Sequence, residues 1–186
     1  MSRTMTQKDA ADMLAMADEL YSRQQVEQAM DRLAIEITGR LSGEDPIVLS
    51  VLNGALIPTG HLLTRLNFPL RQDYVHATRY RGNTEGADLE WIGQPRTSLR
   101  DQTVLVVDDI LDEGITLAAI VEACREAGAK AVYSAVLVEK LHDRGVGFKA
   151  DFVGLTVEDR YVFGYGMDYN GYLRNVPAIM ALPPDK

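Results

Sequence analysis

Apolar runs recur along the chain at 47–52, 103–107 and 131–138, each dominated by Val, Leu, Ile and Ala with almost no polar alternation. Strands buried on both faces of a parallel sheet read this way, because neither face meets water. Helical spacing follows the first run at 57–66 and the second at 117–124. Such alternation predicts an α/β fold, a parallel sheet flanked by helices. Residues 69–77 alternate well enough for another strand, and 89–92 predicts a short one. Ahead of the sheet, residues 8–41 read as helix. Met13, Leu14, Ala17, Leu20 and Tyr21 keep helical spacing, as do Val26, Met30, Leu33, Ile37 and Leu41. Ser22 starts the second helix, with Gln25 placed as in a capping box, and Gly43 ends it before Pro46.

The chemistry gathers behind the run at 103–107. Asp108 and Asp109 fall where that strand should end, and Asp112, Gly114 and Thr116 lead into the next helix. In an open α/β sheet, ligands bind off the carboxyl ends of strands. Gly114 lets an anion approach the backbone, and the unpaired N–H groups of a helix start suit a phosphate. Thr116 adds a hydroxyl donor. Asp108 and Asp109 can accept hydrogen bonds from neighbouring sugar hydroxyls, and Asp112, between diol site and phosphate site, can act as a general base. A bare Asp-Asp pair is more often a solvated turn capping a helix. The whole ordered set is hard to explain structurally.

Residues 104–116 resemble the phosphoribosyl-pyrophosphate-binding motif of the type I phosphoribosyltransferases: an apolar run, two acids, two apolar residues, then Asp-x-Gly-x-Thr. The resemblance implies a ribose 5-phosphate site, with Asp108 and Asp109 on the ribose and Glu113, Gly114, Ile115 and Thr116 on the phosphate. It leaves the acceptor base open. Many relatives have Thr or Ser where this chain has Glu113, and some have lysine at Ile115, so backbone groups must do more of the holding here.

Length and charge narrow the picture. A chain of 186 residues suits one domain with a substantial core. Cys124 is the only cysteine, which excludes an internal disulfide and a cysteine metal cluster. Its neighbours Val121, Ala123 and Ala127 make it a small core residue. A formal charge of −8 argues against general nucleic-acid binding. No apolar run approaches a membrane span and the first residues lack a signal peptide's apolar core, so a cytoplasmic protein is expected.

A second glycine loop, Asn53-Gly54-Ala55, joins the 47–52 strand to its helix and offers another anion site. It resembles the pyrophosphate loop of the purine phosphoribosyltransferases, with Asn53 where many members have lysine. The polar, glycine-rich stretch 78–86 resembles the loop that closes over the active site in this family, with Arg79-Tyr80 where others often carry Ser-Tyr. A lid makes chemical sense where water must be kept from an oxocarbenium-like transition state. Lys140, alone, reads as a solvated lysine; at a strand end it can donate to a base carbonyl.

Residues 151–155 and 159–169 resemble the carboxy-terminal hood of the hypoxanthine-guanine enzymes. This implies Lys140 on the purine 6-oxo group, Tyr161 stacked on the ring and Val162 reading the base edge through its backbone. It also implies Asp168 positioning magnesium (Mg2+) and Arg174 reaching the pyrophosphate. Tyr161 replaces the usual phenylalanine but keeps a stacking face. Without the resemblance, Tyr161 would read as a core aromatic and Asp168 as a turn residue. The expected organisation is a single domain, 1–186, with N-terminal helices over 1–45. The core spans 46–138 with the central motif, and a small hood at the strand C-terminal ends takes in about 139–175. The implied reaction is 5-phosphoribosyl transfer from phosphoribosyl pyrophosphate to N9 of hypoxanthine or guanine in purine salvage. A xanthine-preferring enzyme and an RNA-binding nucleotide sensor of the same fold are the alternatives. A homodimer or homotetramer is expected by analogy.

Overall fold

The computed structural model describes residues 4–79 and 89–183. The chain opens with α1 (Gln7–Met16), β1 (Asp18–Tyr21) and α2 (Arg23–Leu41). Ser22 caps α2 as its sequence predicts: its hydroxyl accepts from the Gln25 N–H while the Gln25 side chain accepts from the Ser22 N–H. The helix expected over 8–41 is interrupted, however. Leu20 and Tyr21 lie on β1, which pairs antiparallel with β9 (Ile179–Ala181) near the far end of the chain. The Tyr21 hydroxyl also donates to the Thr156 carbonyl at 2.7 Å. Long-range pairing has overridden local periodicity there.

The main sheet has six strands: β2 (Ile47–Leu52), β3 (Arg71–Arg79), β4 (Leu89–Gly93), β5 (Thr103–Leu111), β6 (Ala131–Leu141) and β7 (Phe152–Glu158). Their order is β4-β3-β2-β5-β6-β7, with every neighbouring pair parallel except β3–β4. The segment 151–155, expected in the hood, is thus the edge of the main sheet: Val153 sits opposite Val136. β5 also outruns its apolar stretch. Asp108 pairs with Val136 and Leu111 with Glu139, so the two acids lie within the strand instead of after it.

Two helical layers cover the sheet. Met30, Leu33 and Ile37 of α2 and Leu62 of α3 (Leu56–Leu63) pack with Leu105, Val107 and Leu137. On the other side, Leu117, Ile120 and Cys124 of α4 (Ile115–Glu126) pack with Val104 and Val106. Cys124 is a buried core residue as expected, and burial pushes its thiol up to about 11. The chain runs from β2 outward to β3, but from β5 outward to β6 on the other side. The loops after β2 and β5 therefore diverge and leave a crevice between them, at the point where such sheets bind ligands.

A second sheet, β1-β9-β8, forms the hood, with β8 spanning Val162–Phe163. It has its own small core. Phe163, Ala178 and Met180 are buried against Leu14 and Ala17, so α1 and β1 are bound into the hood.

Candidate functional site

A cavity of about 490 Å³ fills the crevice. One wall is the turn from β5 into α4. Gly114 is its N-cap with φ 79°, a left-handed conformation that favours glycine. A Cβ there would lie 3.1 Å from the Phe148 Cβ, so packing adds to the requirement. The Val146 N–H donates to the Glu113 carbonyl at 3.0 Å, bracing the turn from behind. No side chain caps α4. Ile115, Thr116 and Leu117, whose N–H groups open the helix, line the cavity.

Asp108 and Asp109 form the floor. Asp108 Oδ1 accepts from the Asp109 N–H and Asp109 Oδ1 from the Ile110 N–H, both at 2.9 Å. Burial pushes both carboxyls up. The Asp109 charge drives Asp108 well above the usual range, while the Asp108 hydrogen bond and the Arg174 charge offset only part of the rise at Asp109. Gly54 from the β2 loop packs directly on this floor: a Cβ there would stand 1.9 Å from Asp109 Oδ2. Above it, Gly166 from the hood leaves only 2.1 Å between a would-be Cβ and the Gly54 carbonyl oxygen. Three chain segments thus meet with no room for side chains.

Asp112 sits at the mouth between two donors. Lys140 Nζ donates to its Oδ2 at 2.8 Å, and His142 Nε2 lies 2.7 Å from its Oδ1. Burial pushes the Asp112 carboxyl up, but these hydrogen bonds and the Lys140 charge outweigh it and hold the group below the usual carboxylate range. Lys140 is reached because β6 runs to Leu141, beyond the apolar stretch ending at 138. The trio borders a second cavity of about 300 Å³. No motif in the sequence marks His142. The only signal for it is position, two residues beyond Lys140 at the end of a strand.

From the hood, Arg174 donates to the Gly166 carbonyl at 2.7 Å and pairs with Asp168 Oδ1 at 2.6 Å. Both side chains line the larger cavity. The other Asp168 oxygen accepts from the Gly171 N–H at 2.7 Å. The Tyr161 hydroxyl donates to the Asp168 carbonyl at 3.1 Å, and its ring, 47 % exposed, stands edge-on to Tyr169. Val162 is buried in the hood sheet opposite Ala181. Tyr161 and Val162 lie outside the lining of the larger cavity, Tyr161 one contact away through Asp168, and exposed Asn53 does not line it either. Arg79 ends β3, whereas Tyr80 and the rest of the expected lid up to 86 lie outside the described residues. Among the described residues no cluster of three or more His, Cys, Asp or Glu could hold a metal, so a cation here needs oxygens from its ligand as well.

The phosphoribosyl transferase domain family matches residues 16–170. The hypoxanthine-guanine phosphoribosyltransferase of Bacillus subtilis (strain 168) is 32% identical over 166 residues, 89% of this chain and 92% of that protein. The hypoxanthine-guanine-xanthine phosphoribosyltransferase of Tritrichomonas foetus is 31% identical, over 86% of this chain and 88% of that one. Among solved structures, a hypoxanthine phosphoribosyltransferase from Staphylococcus aureus superposes with a TM-score of 0.87 at 26% identity, covering 93% of this chain and 95% of that one.

Proposed function

The chain belongs to the phosphoribosyl transferase domain family, and from that premise we propose that it is a hypoxanthine-guanine phosphoribosyltransferase of purine salvage. It joins the 5-phosphoribosyl group of phosphoribosyl pyrophosphate to N9 of a 6-oxopurine, giving IMP or GMP and pyrophosphate. The observation that carries this reading is the crevice between β2 and β5. It sets an uncapped helix start, two floor carboxylates and a clamped third carboxylate around one cavity.

The N–H groups that open α4, with the Thr116 hydroxyl, hold the 5-phosphate. Glu113 contributes its backbone to that turn. Asp108 and Asp109 accept from the ribose hydroxyls, and their field stabilises positive charge developing on the sugar ring. Gly54, Asn53 and Arg174 bind the pyrophosphate, Asn53 by backbone and amide donors without a lysine's charge. Tyr161 stacks on the purine and Val162 reads its edge. As N9 bonds to C1 and the C1–O bond to pyrophosphate breaks, the proton on N7 passes to Asp112. Lys140 turns to the 6-oxo group, an acceptor that adenine lacks, and an unpaired buried donor disfavours adenine. Asp168 fits Mg2+, a hard cation that takes one or two carboxylates and otherwise phosphate oxygens and water. What Mg2+ supplies when bound is neutralisation of the departing pyrophosphate.

The relative from T. foetus includes xanthine in its name, so a xanthine activity alongside the other two is the second reading. The test is a spectrophotometric assay with phosphoribosyl pyrophosphate, magnesium and each of hypoxanthine, guanine, xanthine and adenine. Turnover of the first two is expected, abolished by a chelator. In Asp112→Asn it should fall about a hundredfold or more, the scale of a lost general base. No turnover with any base would overturn the proposal.

A further inference from the structure

Asp112 is gripped at both oxygens, and the two grips differ in kind. Lys140 Nζ, 2.8 Å from Oδ2, ends a flexible stem. His142, 2.7 Å from Oδ1, belongs to a side chain only 6% exposed and fixed from the other side. The Arg144 backbone N–H donates to His142 Nδ1 at 3.1 Å. An imidazole nitrogen that accepts carries no proton, so the ring's proton must sit on Nε2. The backbone therefore selects the tautomer, and His142 meets Asp112 as a neutral N–H donor.

The loop that does this is itself anchored. Arg144 Nη2 pairs with Asp159 at 2.6 Å, and the Val146 N–H holds the Glu113 carbonyl one residue from Asp112. One loop thus fixes both the carboxylate and the turn that carries it. The other ionisable groups around the cavity are Glu113, Glu139, Asp143 and Lys149.

We propose that His142 is a positioning residue, one that permanently occupies one oxygen of Asp112 so that the other alone exchanges between Lys140 and the purine. This rests on the reaction proposed above and adds a latch to it. Without purine, Oδ2 is covered by Lys140 and cannot take a proton. A 6-oxo group offers Lys140 another acceptor, the lysine leaves, and Oδ2 opens toward N7 while His142 keeps the carboxylate from turning. Adenine offers a donor at that place, Lys140 stays, and the base remains covered. Substrate selection and activation of the proton acceptor then become one event. With a hydrophobic residue at 142 the carboxylate would rotate freely about its Cβ–Cγ bond, and Lys140 could follow either oxygen.

The test combines the imidazole signal with kinetics of the full-length protein. There are three histidines, so the His142 resonances in a ¹⁵N-labelled spectrum are assigned by their loss in His142→Gln. The expected pattern is a neutral ring protonated on Nε2. His142→Ala should lower kcat for hypoxanthine on the order of tenfold to a hundredfold, the scale of a misplaced reacting group, with little change in the phosphoribosyl pyrophosphate KM. The acid limb of its kcat/KM profile should also move to higher pH, because Asp112 loses a donor to its charged form. His142→Gln, whose Nε2 can donate from a similar place, should recover most of the loss. A ring protonated on Nδ1, unchanged kinetics in His142→Ala, or equal loss in the Ala and Gln variants would each overturn the positioning role. Silence of the wild-type protein with every base would instead sink the reaction, while the imidazole spectrum would still decide the hydrogen bond.

Discussion

Gly54 stands where any side chain would meet a carboxylate. Its ideal Cβ position is 1.9 Å from Asp109 Oδ2, closer than any real contact. Alanine there must push Asp109 off the crevice floor, and relief can come only from moving or removing that carboxylate. Gly54→Ala should lower kcat/KM about tenfold to a hundredfold, as small displacements near reacting groups do. Asp109→Ala should be damaging by itself. The double variant should be no worse than the worse single one, because both changes act on the same carboxylate. Steady-state kinetics around this four-member cycle decide it: additive losses would mean that Gly54 serves something other than room for Asp109.

At the scale of elements, α2 shows what local sequence can settle. Its capping box is complete, and the helix buries Val26, Met30, Leu33 and Ile37 against the main sheet. Ser22→Ala should cost about 1 kcal/mol, which for a chain of this size lowers Tm by roughly 2–4 °C, read by calorimetry. A shift within error would show that the sheet contacts alone hold the helix end. The same cap was legible because both partners are three residues apart. The core strands were legible for a similar reason, since double burial leaves an unbroken apolar run. Their ends were not. β5 carries on through Asp108 and Asp109 because its ladder to β6 continues to Leu111, and nothing in a run of acids announces that. β1 was hidden in a helical pattern because its partner β9 lies about 160 residues away. At the site, Asp112, Gly114 and Lys140 could be found as a motif and a strand end. His142 could not, because its role depends on a backbone N–H two residues on that fixes its tautomer.

Across the whole molecule, the site is shared between two cores of unequal size. The phosphate turn, the floor carboxylates and Asp112 stand on the main sheet, buried between α2, α3 and α4. Tyr161, Val162 and Asp168 stand on or beside the hood, whose sheet sends Val162, Ile179 and Ala181 into the main core on one face and packs Phe163, Ala178 and Met180 against residues from α1 and the C-terminal segment on the other. Stability is not uniform in such a structure, and the smaller core should open first. Phe163 is fully buried and packs against Tyr169, with ring centroids 6.0 Å apart. Truncating a buried Phe to Ala removes about 3–5 kcal/mol, and Phe163 packs in the smaller cluster, not among the side chains of the main sheet. Phe163→Ala should therefore raise the hypoxanthine KM at least tenfold and leave the affinity for phosphoribosyl pyrophosphate within about threefold, given that 1.4 kcal/mol is a factor of ten in an equilibrium. Hydrogen exchange should show faster opening at β1, β8 and β9 with β2, β5 and β6 unchanged. Equal losses in both affinities, or exchange rising together in both sheets, would show that hood and main sheet unfold as one unit, and that the purine side of the site has no independent stability to lose.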